Sequence, residues 1–119
     1  MTHIYIIRML AACVCGFLIG FERKNRSKKA GVRTHVVVAC GAALIMIISK
    51  YGFFDMLSLG DDIKHDPSRV ASNIITGIGF LGAGMILVNK RRITGLTTAA
   101  GIWTTAGIGM AMGAGTYVV

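Results

Sequence analysis

The residues with chemistry to offer are few and cluster at the edges of apolar runs. Glu22 and Arg23 close the first run, and Arg33 and Thr34 open the second. A carboxylate between two guanidiniums reads as an ion-pair node tying two helix ends, with a gate or partner-docking site as the functional alternative. Arg8 lies inside the first run, where a charge either snorkels to the surface or serves function. Arg69, Asn73 and Gly77 recur every four residues and so stack on one side of a helix. Asn73 reads as a buried amide bonded to another helix. Thr97, Thr98, Thr104 and Thr105 either back-bond to their own helix or build a polar track.

None of this assembles an enzyme. There is no Ser/His/Asp or Cys/His set, no H-E-x-x-H and no pair of intramembrane carboxylates. Catalytic, metal and cofactor sites are therefore not expected. Cys13 and Cys15 are two residues apart, hence about 200° apart around a helix, and with Cys40 they read as small buried hydrophobes. Asp55, Asp61, Asp62 and Asp66, with His65, match neither an EF-hand nor a zinc spacing and read as a solvated loop. Gly77-Ile78-Gly79-Phe80-Leu81-Gly82 fits G-x-G-x-x-G. A dinucleotide fingerprint requires a preceding strand and an acid about 20 residues on, and position 102 is Ile. That glycine density is expected to loosen or break a helix midway.

The elements that must position these residues are membrane spans. Hydrophobic residues make up 54% of the 119 and charged residues 15%, against about 25% charged in soluble domains. Apolar runs cover 4–21, 34–49, 70–88 and 93–114, and at about 1.5 Å per residue the third is long enough for a ~30 Å core. The fold class predicted is all-α: a polytopic helix bundle of four transmembrane helices in one domain over 1–119. The fourth run stays uncharged to Val119, so a fifth helix is expected to begin near Tyr117. Asp66-Pro67 reads as an N-cap and first helical residue; Thr94 or Thr97 reads as the cap of the fourth helix.

Charge sets the orientation. The chain carries 13 Lys+Arg against 5 Asp+Glu, a net +8, and long uncharged stretches separate the basic clusters, which argues against a nucleic-acid partner. Loop 22–33 holds Arg23, Lys24, Arg26, Lys28, Lys29 and Arg33; loop 50–69 is acid-rich; loop 89–92 is basic again. That alternation places 22–33 and 89–92 in the cytoplasm and the N-terminus outside.

Helices in lipid associate through small residues. One row is Arg8, Ala12, Gly16 and Gly20; a second is Ser72, Thr76, Gly79 and Ala83; a third is Ala100, Thr104, Gly107, Ala111 and Ala114. Gly77, Gly82 and Gly84 add to the glycine of the third helix. These rows predict a tight bundle, with internal packing and a homodimer as alternative uses.

Three stretches, GFLIGFERKNRSKKAGVRTH (16–35), DPSRVASNIITGIGFLGAGMIL (66–87) and RITGLTTAAGIWTTAGIGMAMGAG (92–115), resemble the MgtC/SapB family of bacterial inner-membrane proteins. The resemblance implies a hydrophobic N-terminal domain with its N-terminus outside and a link to growth at low magnesium and, in pathogens, to virulence. It also implies regulation of another membrane protein, and in some members a further helix and a soluble domain. Glu22, Arg23, Arg33, Thr34, Arg69, Gly79, Gly82, Gly84, Thr97 and Thr98 stand at the family's signature positions. The function expected is a non-enzymatic membrane regulator; the alternative is a transporter or channel, for which edge arginines favour anions over Mg²⁺.

Overall fold

A computed structural model describes residues 1–26, 29–62 and 64–118; Lys28 of the basic loop and Val119 lie outside the described residues. Four α-helices run in the order α1 (Thr2–Asn25), α2 (Val32–Tyr51), α3 (Pro67–Gly84) and α4 (Leu96–Ala114). A short 3₁₀ turn, Met56–Leu59, follows α2, and a two-stranded hairpin, β1 (Leu87–Asn89) with β2 (Arg92–Thr94), separates α3 from α4. Helices α1, α2 and α4 pack on one another, while α3 sits outboard against α2 and α4.

The first helix has 24 residues, about 36 Å at 1.5 Å per residue. It and the segment Val32–Leu59 are long and apolar enough to cross a bilayer. The packing suits a lipid solvent. Buried positions are mostly small, including Ala12, Ala39, Ala42, Ala43, Ala71, Ala99 and Ala106. Large side chains such as Leu10, Phe17, Leu18, Val37, Phe80 and Trp103 point outward. In water this arrangement would leave apolar patches uncovered; in lipid, small residues let backbones approach and large ones face acyl chains.

The first two helices extend beyond their apolar runs, to Thr2–Asn25 and Val32–Tyr51, and the end of α3 and the start of α4 also differ from the sequence reading. The third helix begins at Pro67, with Asp66 accepting from Ser68 N at 2.9 Å, and ends at Gly84 rather than near 88. It is unbroken through Gly77, Gly79 and Gly82, so glycine density does not interrupt it. Leu87 to Thr94 instead pair across a two-residue turn, Leu87 with Thr94 and Val88 with Ile93, where β-branched residues favour an extended backbone. Consequently α4 starts at Leu96, and neither Thr94 nor Thr97 caps it. The cap position is Gly95 at φ +87°, where a Cβ would collide with the Met85 carbonyl. Thr116 to Val118 are not helical.

Candidate functional site

At the basic end of the bundle, Arg23 reaches from the last turns of α1 across to α4. Its Nη2 donates to Thr98 Oγ1 at 2.8 Å, and the side chain is only 9% exposed. Its Nε is buried and has no partner among the described residues. Helical phase explains the selection. Successive residues are about 100° apart, so turning Arg23 inward turns Glu22 outward, and burying Thr98 exposes Thr97. The predicted Glu22 node between Arg23 and Arg33 therefore does not form. Glu22 pairs with Arg26 at 2.9 Å on the surface, and Arg33 and Thr34 are exposed on the first turn of α2.

Beside Arg23 a cleft of about 470 Å³ opens between the start of α4, the second strand and Lys29. The helix that borders it has no side-chain cap. Its first internal bond is Ala99 N to Gly95 O at 2.8 Å, so the amides of Leu96, Thr97 and Thr98 have no intrahelical acceptor.

At the opposite end, Arg8 is a tie rather than a snorkelling charge. Its Nη1 donates to Tyr51 Oη at 3.0 Å and to the Gly113 carbonyl at 3.1 Å, while Lys50 Nζ donates to the Ala114 carbonyl at 2.9 Å. Two cations from α1 and α2 thus close the C-terminal carbonyls of α4, where the helix dipole favours positive charge. Both also lie about one ring-contact away from Tyr51, at 5.2 Å and 5.3 Å from its centroid. Ser49, fully buried, accepts from Ala71 N at 3.0 Å and donates to the Pro67 carbonyl, pinning α3 to α2.

Sequence reasoning missed His35, which is completely buried. Its Nδ1 faces the Gly31 carbonyl at 2.9 Å, leaving Nε2 buried without a partner beside Gly101. The available signal was a histidine four residues after a glycine at a helix start. Cys13 and Cys40 meet between α1 and α2 with their sulfurs 2.7 Å apart, whereas Cys15 is elsewhere on α1.

The glycines divide sharply. Gly16 and Gly20 are buried against α2, where an added Cβ would lie 2.7 Å from the His35 carbonyl oxygen and 2.5 Å from Val32 Cα. Gly82 packs against Ala99 of α4. Gly77, Gly79, Gly84 and Gly107 have open space where a Cβ would stand. On α4 the buried row is Thr98, Ile102, Thr105, Gly109 and Gly113, not the row through Ala100, Thr104 and Gly107. Arg69 and Asn73 are both exposed, and Asn73 is not the buried amide expected. They share the outer face of α3 with Ser72, Thr76, Gly79 and Ala83, opposite the packed residues Ala71, Ile74, Ile78 and Gly82.

A profile of the MgtC family matches residues 9–119. The putative magnesium transporter YhiD of Escherichia coli K12 is 58% identical over 118 residues, covering 98% of this chain and 54% of the relative. Protein MgtC of Salmonella typhimurium LT2 is 43% identical over 113 residues, covering 95% and 45%. An uncharacterized protein of Haemophilus influenzae is 45% identical over 115 residues, covering 95% and 48%. The chain thus spans about half the length of the curated relatives it matches. No solved structure matches it. The chain belongs to the MgtC family of membrane proteins.

Proposed function

We propose that this chain is the membrane-embedded part of a non-enzymatic bacterial inner-membrane protein, serving adaptation to low magnesium by binding and regulating another membrane protein. All four helices cross the bilayer in this reading, with the N-terminus outside and the Arg23 and Lys90 loops in the cytoplasm. The single observation that carries it is the outer face of α3. Ser72, Asn73, Thr76, Gly79 and Ala83 are exposed there, and neither Asn73 nor Thr76 makes a side-chain hydrogen bond among the described residues. Polar groups in hydrocarbon need partners, and small residues admit a second backbone.

The occupant favoured is a helix of a different protein. Two copies of this chain share one orientation, so a two-fold pairing through α3 would bring Arg69 towards Arg69. A foreign helix can supply a carboxylate at that level instead.

The test is a photo-crosslinking residue at Thr76 in the full-length protein in cells grown at low magnesium, with Leu81 as the control position. A discrete heteromeric adduct from position 76, lost in Asn73→Leu, is expected. Adducts of twice the protein's own mass, or none from position 76, would overturn it.

The name of the Escherichia coli relative favours a second reading, transport of Mg²⁺. The cations set between helices, Arg8, Arg23 and Lys50, would repel a divalent cation moving along them. Reproducible Mg²⁺ flux in liposomes, abolished by Arg69→Ala or Glu22→Gln, would decide for transport.

A further inference from the structure

We propose that the cleft at the basic end is a binding site for a phosphate group, formed by Arg23, Lys29 and the free amides that open α4. Three separate features meet there. The first is a buried charge with no counter-charge among the described residues. Arg23 is nine-tenths buried, spends one N–H on Thr98 and keeps Nε buried and unpartnered. The neighbouring carboxylate, Glu22, is engaged by Arg26 on the surface. An ion held out of water is stable only when paired and hydrogen-bonded.

The second feature is the start of α4. A helix 19 residues long presents the amides of Leu96, Thr97 and Thr98 without a capping side chain, and the partial positive charge of the helix end sits on those amides. Gly95 permits this opening because its left-handed backbone and the nearby Met85 carbonyl leave no room for a Cβ. The third is the cleft. Its volume of about 470 Å³ lies within the usual range for small-molecule sites, Lys29 borders it, and none of its lining residues is acidic.

The donor set selects the ligand class. A guanidinium fork, an ammonium and three amides exceed what the two oxygens of a carboxylate accept. They suit the three terminal oxygens of a phosphate, for which arginine's planar fork is also the better geometric match. The same chemistry is presented by inorganic phosphate or a small phosphorylated solute, and by the phosphomonoester headgroup of phosphatidic acid. The site is independent of the outer face of α3 and stands whether the protein regulates or transports.

The experiment uses the full-length protein in a maltoside detergent that contains no phosphate. One arm titrates inorganic phosphate and follows heat and ³¹P line width; the other adds phosphatidic acid and counts retained lipid by native mass spectrometry. Saturable binding in at least one arm is expected. Arg23→Gln should weaken it about tenfold or more, as for loss of a charge-assisted hydrogen bond. The exposed Lys29→Gln should weaken it less without altering thermal stability, so a misfolded Arg23 variant does not stand alone. Binding by phosphate alone assigns the site to a free solute, and by lipid alone to the membrane; Glu22→Gln should leave either unchanged. Binding in neither arm, equal binding by acetate, or binding unaffected in both Arg23→Gln and Lys29→Gln would overturn the proposal.

Discussion

Arg8 and Arg23 are the same kind of residue on the same helix, yet they meet opposite ends of α4. Arg8 finds the electronegative end, where the Gly113 carbonyl and Tyr51 hydroxyl accept from it at 3.1 Å and 3.0 Å. Arg23 finds the electropositive end, where Thr98 supplies the one acceptor and the helix dipole opposes the charge. Arg8 is therefore held by two acceptors and Arg23 by one, while the Nε of each is buried without a partner among the described residues. Arg8→Gln should destabilise the protein by about 1–3 kcal/mol, since it leaves two partly buried acceptors without their donor; a detergent-solubilised melting temperature equal to that of the parent would refute the tie. Both arginines stand out in the sequence as charges at the edges of an apolar run. Their partners do not, because Thr98 and Gly113 lie 75 and 105 residues away along the chain.

At the scale of the helices, packing through glycine makes a directional prediction on α4. A Cβ at position 113 would sit 2.5 Å from the Ala43 carbonyl oxygen, whereas one at position 107 meets nothing. Gly113→Ala should cost about 1–3 kcal/mol through overpacking. Gly107→Ala should be neutral or gain up to about 1 kcal/mol from helix propensity. Thermal unfolding of the two variants side by side checks the assignment, and the opposite order would reverse the face of α4 that packs. The start of α3 responds to pH. Hydrogen bonds from the Ser68 hydroxyl and amide, helped by the charge of Arg69, hold the Asp66 carboxyl below its ordinary 3.8. A carboxylate favoured in the folded state contributes fully above the ordinary value and progressively less as pH falls through the lowered one. Protection of the amides in the first turn of α3, taken relative to the intrinsic exchange rate at each pH, should thus fall below pH 3.8, and Asp66→Ala should be less protected at neutral pH with that acid dependence gone.

For the whole molecule, the axis that matters runs from the basic end to the acid-rich loop, with large apolar side chains around the girth and small ones inside. The proposed orientation predicts that a single cysteine replacing Asp61, with Cys13, Cys15 and Cys40 changed to alanine, reacts with an impermeant maleimide in intact spheroplasts. A cysteine replacing Lys24 should react only after permeabilisation, and the reverse pattern would invert the topology. The helical architecture, the order of its helices and the capping of α3 by Asp66 were legible in the sequence, because hydropathy, charge and local capping are properties of neighbouring residues. What was not legible is the rotation of each helix about its axis. On α4, alanine, glycine and threonine occur on every side, so two rows of small residues were equally eligible, and only contact with Ala39 and Ala43 of α2 selected the one through Gly109 and Gly113. At about 100° per residue, that same choice of phase turned Arg23 inward and Glu22 outward, buried Thr98 rather than Thr97, and left Asn73 facing away from the bundle. The sequence by itself determined which segments are apolar and helical and where the charges collect at their ends. The tertiary structure decided which of those charges are enclosed and what they face, because enclosure depends on how closely two backbones approach, and that is settled between helices rather than within one.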